Sequence, residues 1–397
     1  MRYVSGRYTV ARILADLDAY ELALTNRVLQ GGAMSAAEVY EFDARIQDMS
    51  EGKNAVLRGT AGVPSVMVRF NPMAGDELIA DGGVQVHPAF IVAGNVKPEI
   101  FIGKYQSKTI NISGTNYSAS LRGVDPTAEI TWTNADTYAG NNGPGWHMIT
   151  NPESAFLALL CRKRGFEPRG NNAYGVSAEV PSEKGKLSFT YDDSGTRRKG
   201  RVLTGSGPMS WRHDGTPFGV SDLNGNVWEW NRGLRTIAGE PQVIQDNNAA
   251  DKTIDHGAAS ALWKAIQASD GALITPTGTG TTPGSLKWNR DTVNNVWVIG
   301  TSFVQQGVSL NNPLWSNTVG DGITVPAIAK LLGLHPLDAG PNPGDGFWLN
   351  DVNDETIARR GGAWHSGGLA GVWALNLNNA RGHSHIYLGS RLAFCNL

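Results

Sequence analysis

A chain of 397 residues is long enough to bury a substantial core and to hold two or three domains. Only 18% of the residues are charged and the formal net charge is −2, so the chain lacks the electrostatic footprint of a binder of nucleic acid or anionic membranes. Two cysteines, Cys161 and Cys395, exclude a disulfide framework, and no apolar run approaches the ~20 residues that span a bilayer.

The opening Met-Arg-Tyr-Val-Ser-Gly lacks the charged-then-apolar pattern of a secretory signal, so synthesis in a cytoplasm is expected, with release by lysis or as part of a particle. From Thr9 to Met49 the spacing predicts two helices. Val10, Ile13, Leu17, Tyr20, Leu24 and Val28 recur every three or four residues until Gly31-Gly32 stops the stripe. Ser35 with Glu38 forms a capping-box signature ahead of Val39, Phe42, Ile46 and Met49. Short helices are marginal alone, so residues 1–63 are expected to pack on a partner surface, with a docking or oligomerisation segment as the reading and a subdomain packed on its own chain as the alternative. From Pro64 to Gly103 the pattern turns to strands, with Val66, Val68 and Phe70, then Val84 to Phe90, then Glu99 to Tyr105. Thr150 and Glu153 cap a helix that carries Phe156, Leu159, Leu160 and Cys161 to Gly165, with the cysteine read as a core residue. Residues 245–320 are rich in Asn, Thr and Gly and read as an insertion, broken by a helix from Ala258 to Ala268. A further helix is expected from Pro326 to Leu332, and no fixed-period repeat is present.

Two motifs carry chemistry. In Phe218-Gly-Val-Ser-Asp-Leu-Asn-Gly-Asn-Val-Trp-Glu-Trp230, the residues Asp222, Asn224, Asn226 and Glu229 offer hard oxygen donors around a turn at Gly225. Such a set suits Ca²⁺ better than zinc; the competing reading is an Asn-Gly turn between strands, with Trp228 and Trp230 flanking the core. The second motif is the tail, residues 360–397. Glycines frame it, and from His365 to Tyr387 it holds imidazole, aromatic and small side chains without a carboxylate. A rigid frame around a chemically mixed interior describes a display surface more than a catalytic cleft.

Asp222-Leu-Asn-Gly-Asn-Val-Trp-Glu-Trp230, followed by Arg360-Gly-Gly-Ala-Trp364 and Gly389-Ser-Arg391, resembles the formylglycine-generating-enzyme-like branch of the C-type lectin fold; Ser390 departs from the aromatic residue usual there. The resemblance implies an α+β, C-type-lectin-like ligand-binding domain over residues 64–397, behind the N-terminal helical segment. It also implies a structural Ca²⁺ held by Asp222, Gly225, Val227 and Glu229, two of them through backbone carbonyls. The enzymes of that branch use a C-terminal cysteine pair, but Cys395 stands there alone. The related iron-dependent sulfoxide synthases need a His-rich site, but His383 and His385 have no carboxylate beside them. No catalysis is therefore expected.

A closer likeness is to the variable proteins of diversity-generating retroelements, many of them receptor-binding proteins of phage tails. It rests on His87-Pro-Ala-Phe90, Glu99 to Tyr105, Gly145 to Thr150, Pro168 to Asn172, Leu203 to Pro208, His213 to Thr216 and Ala370 to Arg381. In that family adenines of Asn codons are rewritten, which cannot yield Lys, Glu, Gln, Met or Trp, and none of these occurs from Ala374 to Leu397. Positions that read as rewritten codons are His365, Ser366, Gly368, Leu369, Gly382, His383, His385, Ile386 and Tyr387, with Asn376 and Asn379 left as Asn. Trp364 and Trp373 fall to the frame by the same rule, and Trp373 is also counted with the contact face. The resemblance implies a virion or released protein that binds a host-cell surface protein or glycan and contacts other phage tail proteins. A homo-oligomer is expected, a trimer by family likeness. A formylglycine-generating-enzyme-like oxidase and a bacterial surface lectin for carbohydrate are the alternatives.

Overall fold

The computed structural model describes residues 10–294, 296–305, 314, 319–337, 344–350 and 354–397. Sheet dominates, with short helices packed around it. One mixed sheet contains β1 (Asn54–Arg58), β2 (Pro64–Phe70), β3 (Ile100–Ile112), β4 (Thr115–Ser120), β5 (Trp146–Met148), β6 (Trp228–Ile237) and β7 (Glu240–Ile244). It continues with β8 (Trp263–Ile266), β9 (Leu273–Ile274), β10 (Phe347–Leu349), β11 (Thr356–Gly361), β12 (Gly371–Leu377) and β13 (Leu388–Phe394). The main path runs β1-β2-β3-β13-β6-β7-β8-β9, and β11, β12 and β10 branch from β6. Strand β13 thus lies between β3 and β6, parallel to β6 with Trp228 opposite Leu388. Both faces of β13 are covered, so the strand that follows the proposed display loops is itself core.

The helices are α1 (Val10–Gly31), α2 (Ala36–Met49), α3 (Gly75–Leu78), α4 (Trp132–Gly140), α5 (Asn151–Lys163) and α6 (Ala327–Leu331). Gly32 adopts φ 67°, a left-handed conformation that glycine reaches cheaply, and α1 stops beside it. Ser35 Oγ accepts from Glu38 N at 3.2 Å and Glu38 Oε2 accepts from Ser35 N at 2.8 Å. Leu17, Leu24, Val28, Val39 and Ile46 then bury against Val56, Val66, Tyr105 and Ile110 of the sheet. Within that apolar stripe sits Glu21, fully buried, accepting from Lys104 Nζ at 2.7 Å and from the Tyr105 hydroxyl. Position 63 falls in the turn of the β1–β2 hairpin, where Arg58 pairs with Pro64.

Helix α5 begins as its capping box dictates, with Thr150 Oγ1 accepting from Glu153 N at 3.3 Å, and Phe156, Leu159, Leu160 and Cys161 are all buried. Other expectations are corrected. Residues 258–268 form turns and then β8, whose Trp263, Ala265 and Ile266 are buried against β7; tertiary pairing overrides a weak helical pattern. Val84 is exposed in a bend, and Pro88–Phe90 is a 3-10 turn capped by His87, since proline cannot donate to a ladder. The stretch expected as an insertion supplies β8 and β9 as well as a small sheet of Lys287–Asp291, Val296–Gly300 and Val319–Gly320. Its Trp288, Trp297 and Ile299 join the main core.

Candidate ligand-binding face

Two loops carry the candidate residues. Residues 362–370 join β11 to β12, and residues 378–387 join β12 to β13. Their backbones are tied to distant parts of the fold by main-chain hydrogen bonds. Trp364 O accepts from Tyr174 N at 2.7 Å, Gly367 N donates to Asn172 O at 2.9 Å, and Trp364 N donates to Asn226 O at 3.2 Å. In the second loop, Arg381 O accepts from Trp132 N, His385 O from Glu129 N and Tyr387 O from Trp228 N, at 3.1, 3.0 and 2.9 Å. Arg381 also grips Glu355 with two bonds of 2.7 and 2.9 Å, and Arg201 Nη1 donates to Ile386 O at 2.7 Å. The loops are thus tethered largely through carbonyls and amides, with Arg381 and the Ser366 hydroxyl, which accepts from Ala363 N at 3.0 Å, adding side-chain holds.

The side chains gather into one aromatic patch. The rings of His385 and Tyr387 stack at 3.9 Å between centroids, His383 lies 6.4 Å from His385, and His365 lies 4.9 Å from Tyr387. Trp364, buried beneath, touches His365 and Tyr387 edge-on at 5.5 and 6.2 Å. Burial, and then neighbouring positive charge, holds all three histidines below the ordinary imidazole value: His385 acts on His365, Arg359 and His385 on His383, and Arg359 on His385, where Glu129 opposes it. They therefore serve as neutral aromatic contacts near neutral pH.

His365, Gly368, Gly382 and His385 are exposed, and Ser366, Leu369, Asn379, His383, Ile386 and Tyr387 are half-buried around them. Two expected contacts are not on the surface. Trp373 is 2% exposed in the main core and Asn376 is 5% exposed within β12, because alternate positions of an interior strand face packed layers on both sides. Sequence reasoning missed Phe189 and Tyr191, whose rings lie 6.0 and 6.1 Å from Trp364, and Arg201, stacked 3.9 Å over Phe189. Their signal was present: Phe189 and Tyr191 alternate into a Ser194-Gly195 hairpin turn between Thr190–Asp193 and Thr196–Lys199.

The groups expected to hold Ca²⁺ do converge, but on a protein atom. Gln106 Nε2 lies 3.2, 3.3 and 3.1 Å from the carbonyl oxygens of Asp222, Gly225 and Val227, and 3.0 Å from Glu229 Oε1. Its Oε1 accepts from Asn226 Nδ2 at 2.9 Å, which sets the orientation of the amide. Arg391 supplies the positive charge, binding Glu229 through Nη2 at 2.6 Å and Nε at 2.9 Å, and Ser221 O at 2.9 Å. The Asp222 carboxyl turns the other way, to Gly205 N at 2.8 Å, and burial raises its proton affinity. A cation here would have to displace an amide and sit beside a guanidinium, so this donor set does not fit one. Among the described residues, no cluster of three or more His, Cys, Asp or Glu side chains is arranged to hold a metal ion. The two thiols are free and buried, and burial pushes both up, Cys395 to about 12, so neither is a ready thiolate.

No protein-family model matches the chain, and no curated protein does. Among solved structures it is similar to the Major Tropism Determinant U1 variant, at 13% identity and a TM-score of 0.28, over 85% of this chain and 65% of that one. It is also similar to Treponema denticola variable protein 1, at 11% identity and a TM-score of 0.31, over 86% of this chain and 98% of that one. The Major Tropism Determinant P3c variant gives 12% identity and 0.30, over 86% of this chain and 71% of that one. The chain spans just under two thirds of the U1 variant's length. Superpositions this loose do not by themselves define a shared fold.

Proposed function

We propose that this is a non-catalytic receptor-binding protein, built on a C-type-lectin-like scaffold, whose two C-terminal loops meet the ligand. The observation that carries this reading is the division of labour in those loops. Main-chain bonds anchor them, whereas the side chains of His365, Asn379, His383, His385 and Tyr387 make no hydrogen bond among the described residues. Aromatic and imidazole rings bury area with few rotatable bonds, and Ser, Asn and Gly around them adapt, as in other paratopes. By the motif likeness to retroelement variable proteins, the proposed ligand is a host-cell surface protein or glycan and the proposed carrier is a phage or prophage particle. The outward-facing Tyr20, Leu22, Leu29 and Tyr40 of α1 and α2 support the reading of these helices as the contact with other tail proteins or with copies in a trimer. Individually weak sites repeated on a particle gain avidity.

The test replaces His383, His385 and Tyr387 together by Ala and measures adsorption to susceptible cells alongside thermal unfolding. Adsorption is expected to disappear while the midpoint moves by only a few degrees, since half-exposed side chains contribute about 0.5 kcal/mol each. Retained adsorption with a collapsed midpoint would make these residues structural and sink the reading.

A further inference from the structure

Beneath the aromatic patch lies a cation without a counter-ion. Arg359 on β11 is 5% exposed, and its Nε and Nη1 have no hydrogen-bond partner. No carboxylate pairs with it among the described residues. Its neighbours are otherwise apolar or neutral: the guanidinium sits 5.6 Å over the Trp228 ring, Trp348 meets Trp228 edge-on at 5.3 Å, and Asn376 is its register partner on β12. Arg359 is not alone in having unpartnered N–H groups, which Arg212, Arg232 and Arg360 also carry, but those arginines have other polar partners. Arg391 has Glu229, Arg235 has Glu355, and Arg360 donates to Asn151 Oδ1 and to the carbonyls of Leu332 and Gly333. Burial pulls Arg359 down to about 10, against the opposing influence of Tyr387, so it stays charged at neutral pH.

A buried charge left uncompensated is costly, and beside a binding face it marks a candidate for completion by a ligand. Trp228 offsets part of that cost through its π face but cannot satisfy N–H donors. His383 and His385 feel its charge, and no hydrogen bond among the described residues holds either ring, so a ligand reaching Arg359 would displace only their ring stack with Tyr387. A planar guanidinium with unused N–H groups matches a planar carboxylate.

We propose that Arg359 is the anchor of an anion subsite within the binding face, taking a carboxylate group of the ligand between Trp228, Asn376 and the His383–His385–Tyr387 stack. This rests on the reading of the C-terminal loops as the binding face and adds the chemistry they select for.

Acetate and glucuronate serve as probes, followed through the indole and imidazole resonances of the full chain. Each is expected to produce saturable shifts at Trp228, Trp348 and His383, and Arg359→Met to weaken the response at least about ten-fold, the loss of one charge-assisted hydrogen bond. A tighter response to glucuronate assigns the carboxylate to a sugar ring; an equal response assigns it to a bare carboxylate such as an acidic peptide side chain. Unliganded Arg359→Met should melt no lower than the parent, because it removes an unpaired buried charge. Three results overturn the subsite: no shift in the parent, an undiminished shift in Arg359→Met, or a variant that no longer folds, which would make the arginine a structural cation. The titration needs no receptor, so its failure leaves the adsorption result untouched.

Discussion

At the scale of single residues, Gln106 shows how one amide can take the place of an ion. Four oxygens that a sequence reader would hand to Ca²⁺ meet its Nε2 within 3.0–3.3 Å. The donors were legible because they lie within eight residues; the occupant was not, because it comes from a strand more than a hundred residues earlier in the chain. Two outcomes follow. Chelation with EDTA should leave the thermal midpoint unchanged, since the site is closed by protein. Gln106→Ala should cost about 3–5 kcal/mol in denaturant unfolding, because buried acceptors lose their donor and a cavity opens. A midpoint that falls on chelation, with Gln106→Ala near neutral, would restore the ion.

At the scale of elements, local signals were read well where local bonds decide. The capping boxes at Ser35 and Thr150 are chemistry between residues three apart, and both close as written. Strand and helix assignment failed where partners decide, as in residues 258–268, which pair with β7. Helix α1 shows both cases. Its apolar stripe was visible, but Glu21 in the middle of that stripe has meaning only once Lys104 and Tyr105 are opposite it. Burial lowers Lys104 to about 8 although Glu21 opposes the shift; burial pushes Glu21 up, but Lys104, Arg122 and the Tyr105 hydroxyl together bring it below the usual carboxylate value. Lys104→Met would leave a buried carboxylate short of its cation, and should destabilise the fold by about 3–5 kcal/mol, read as a lower denaturant midpoint. A loss below about 1 kcal/mol would mean that water reaches Glu21, as it does for surface pairs. The docking role of the helices is separate: it concerns their outer face, whereas Glu21 faces inward.

At the scale of the whole molecule, buried imidazoles set the response to acid. His87 is fully buried, with Nδ1 accepting from Ala89 N at 3.2 Å and Nε2 placed to donate to Leu331 O at 2.9 Å, a pattern that the neutral ring satisfies. Burial lowers His87 from 6.5 to about 4, and His213 and His335 likewise to about 4. The unfolded chain therefore takes up protons that the folded chain refuses, so stability present above pH 6.5 is lost as the pH falls toward 4. His87 alone accounts for about 3 kcal/mol across that window. Urea midpoints measured from neutral pH downward should fall through this range; a flat profile would show that these rings are hydrated in the native state.

What the chain determines by itself is what short-range chemistry can specify: the capped helix starts at Ser35 and Thr150, the stop at Gly31-Gly32, the carboxylate-free tail with its glycine frame, and the oxygen-rich turn at Gly225. These depend on residues close in sequence, whose spacing translates directly into geometry. Which tail residues face outward was decided only by tertiary structure. Strand β12 lies inside a layered sheet, so Trp373 and Asn376 were buried by neighbours that their own sequence context does not name. The same long-range packing set Gln106 among the expected metal ligands, brought Phe189 and Tyr191 beside Trp364, and left Arg359 charged beneath the patch. Each of these is a contact between segments far apart along the chain, and a contact of that kind exists only when the whole sheet has closed.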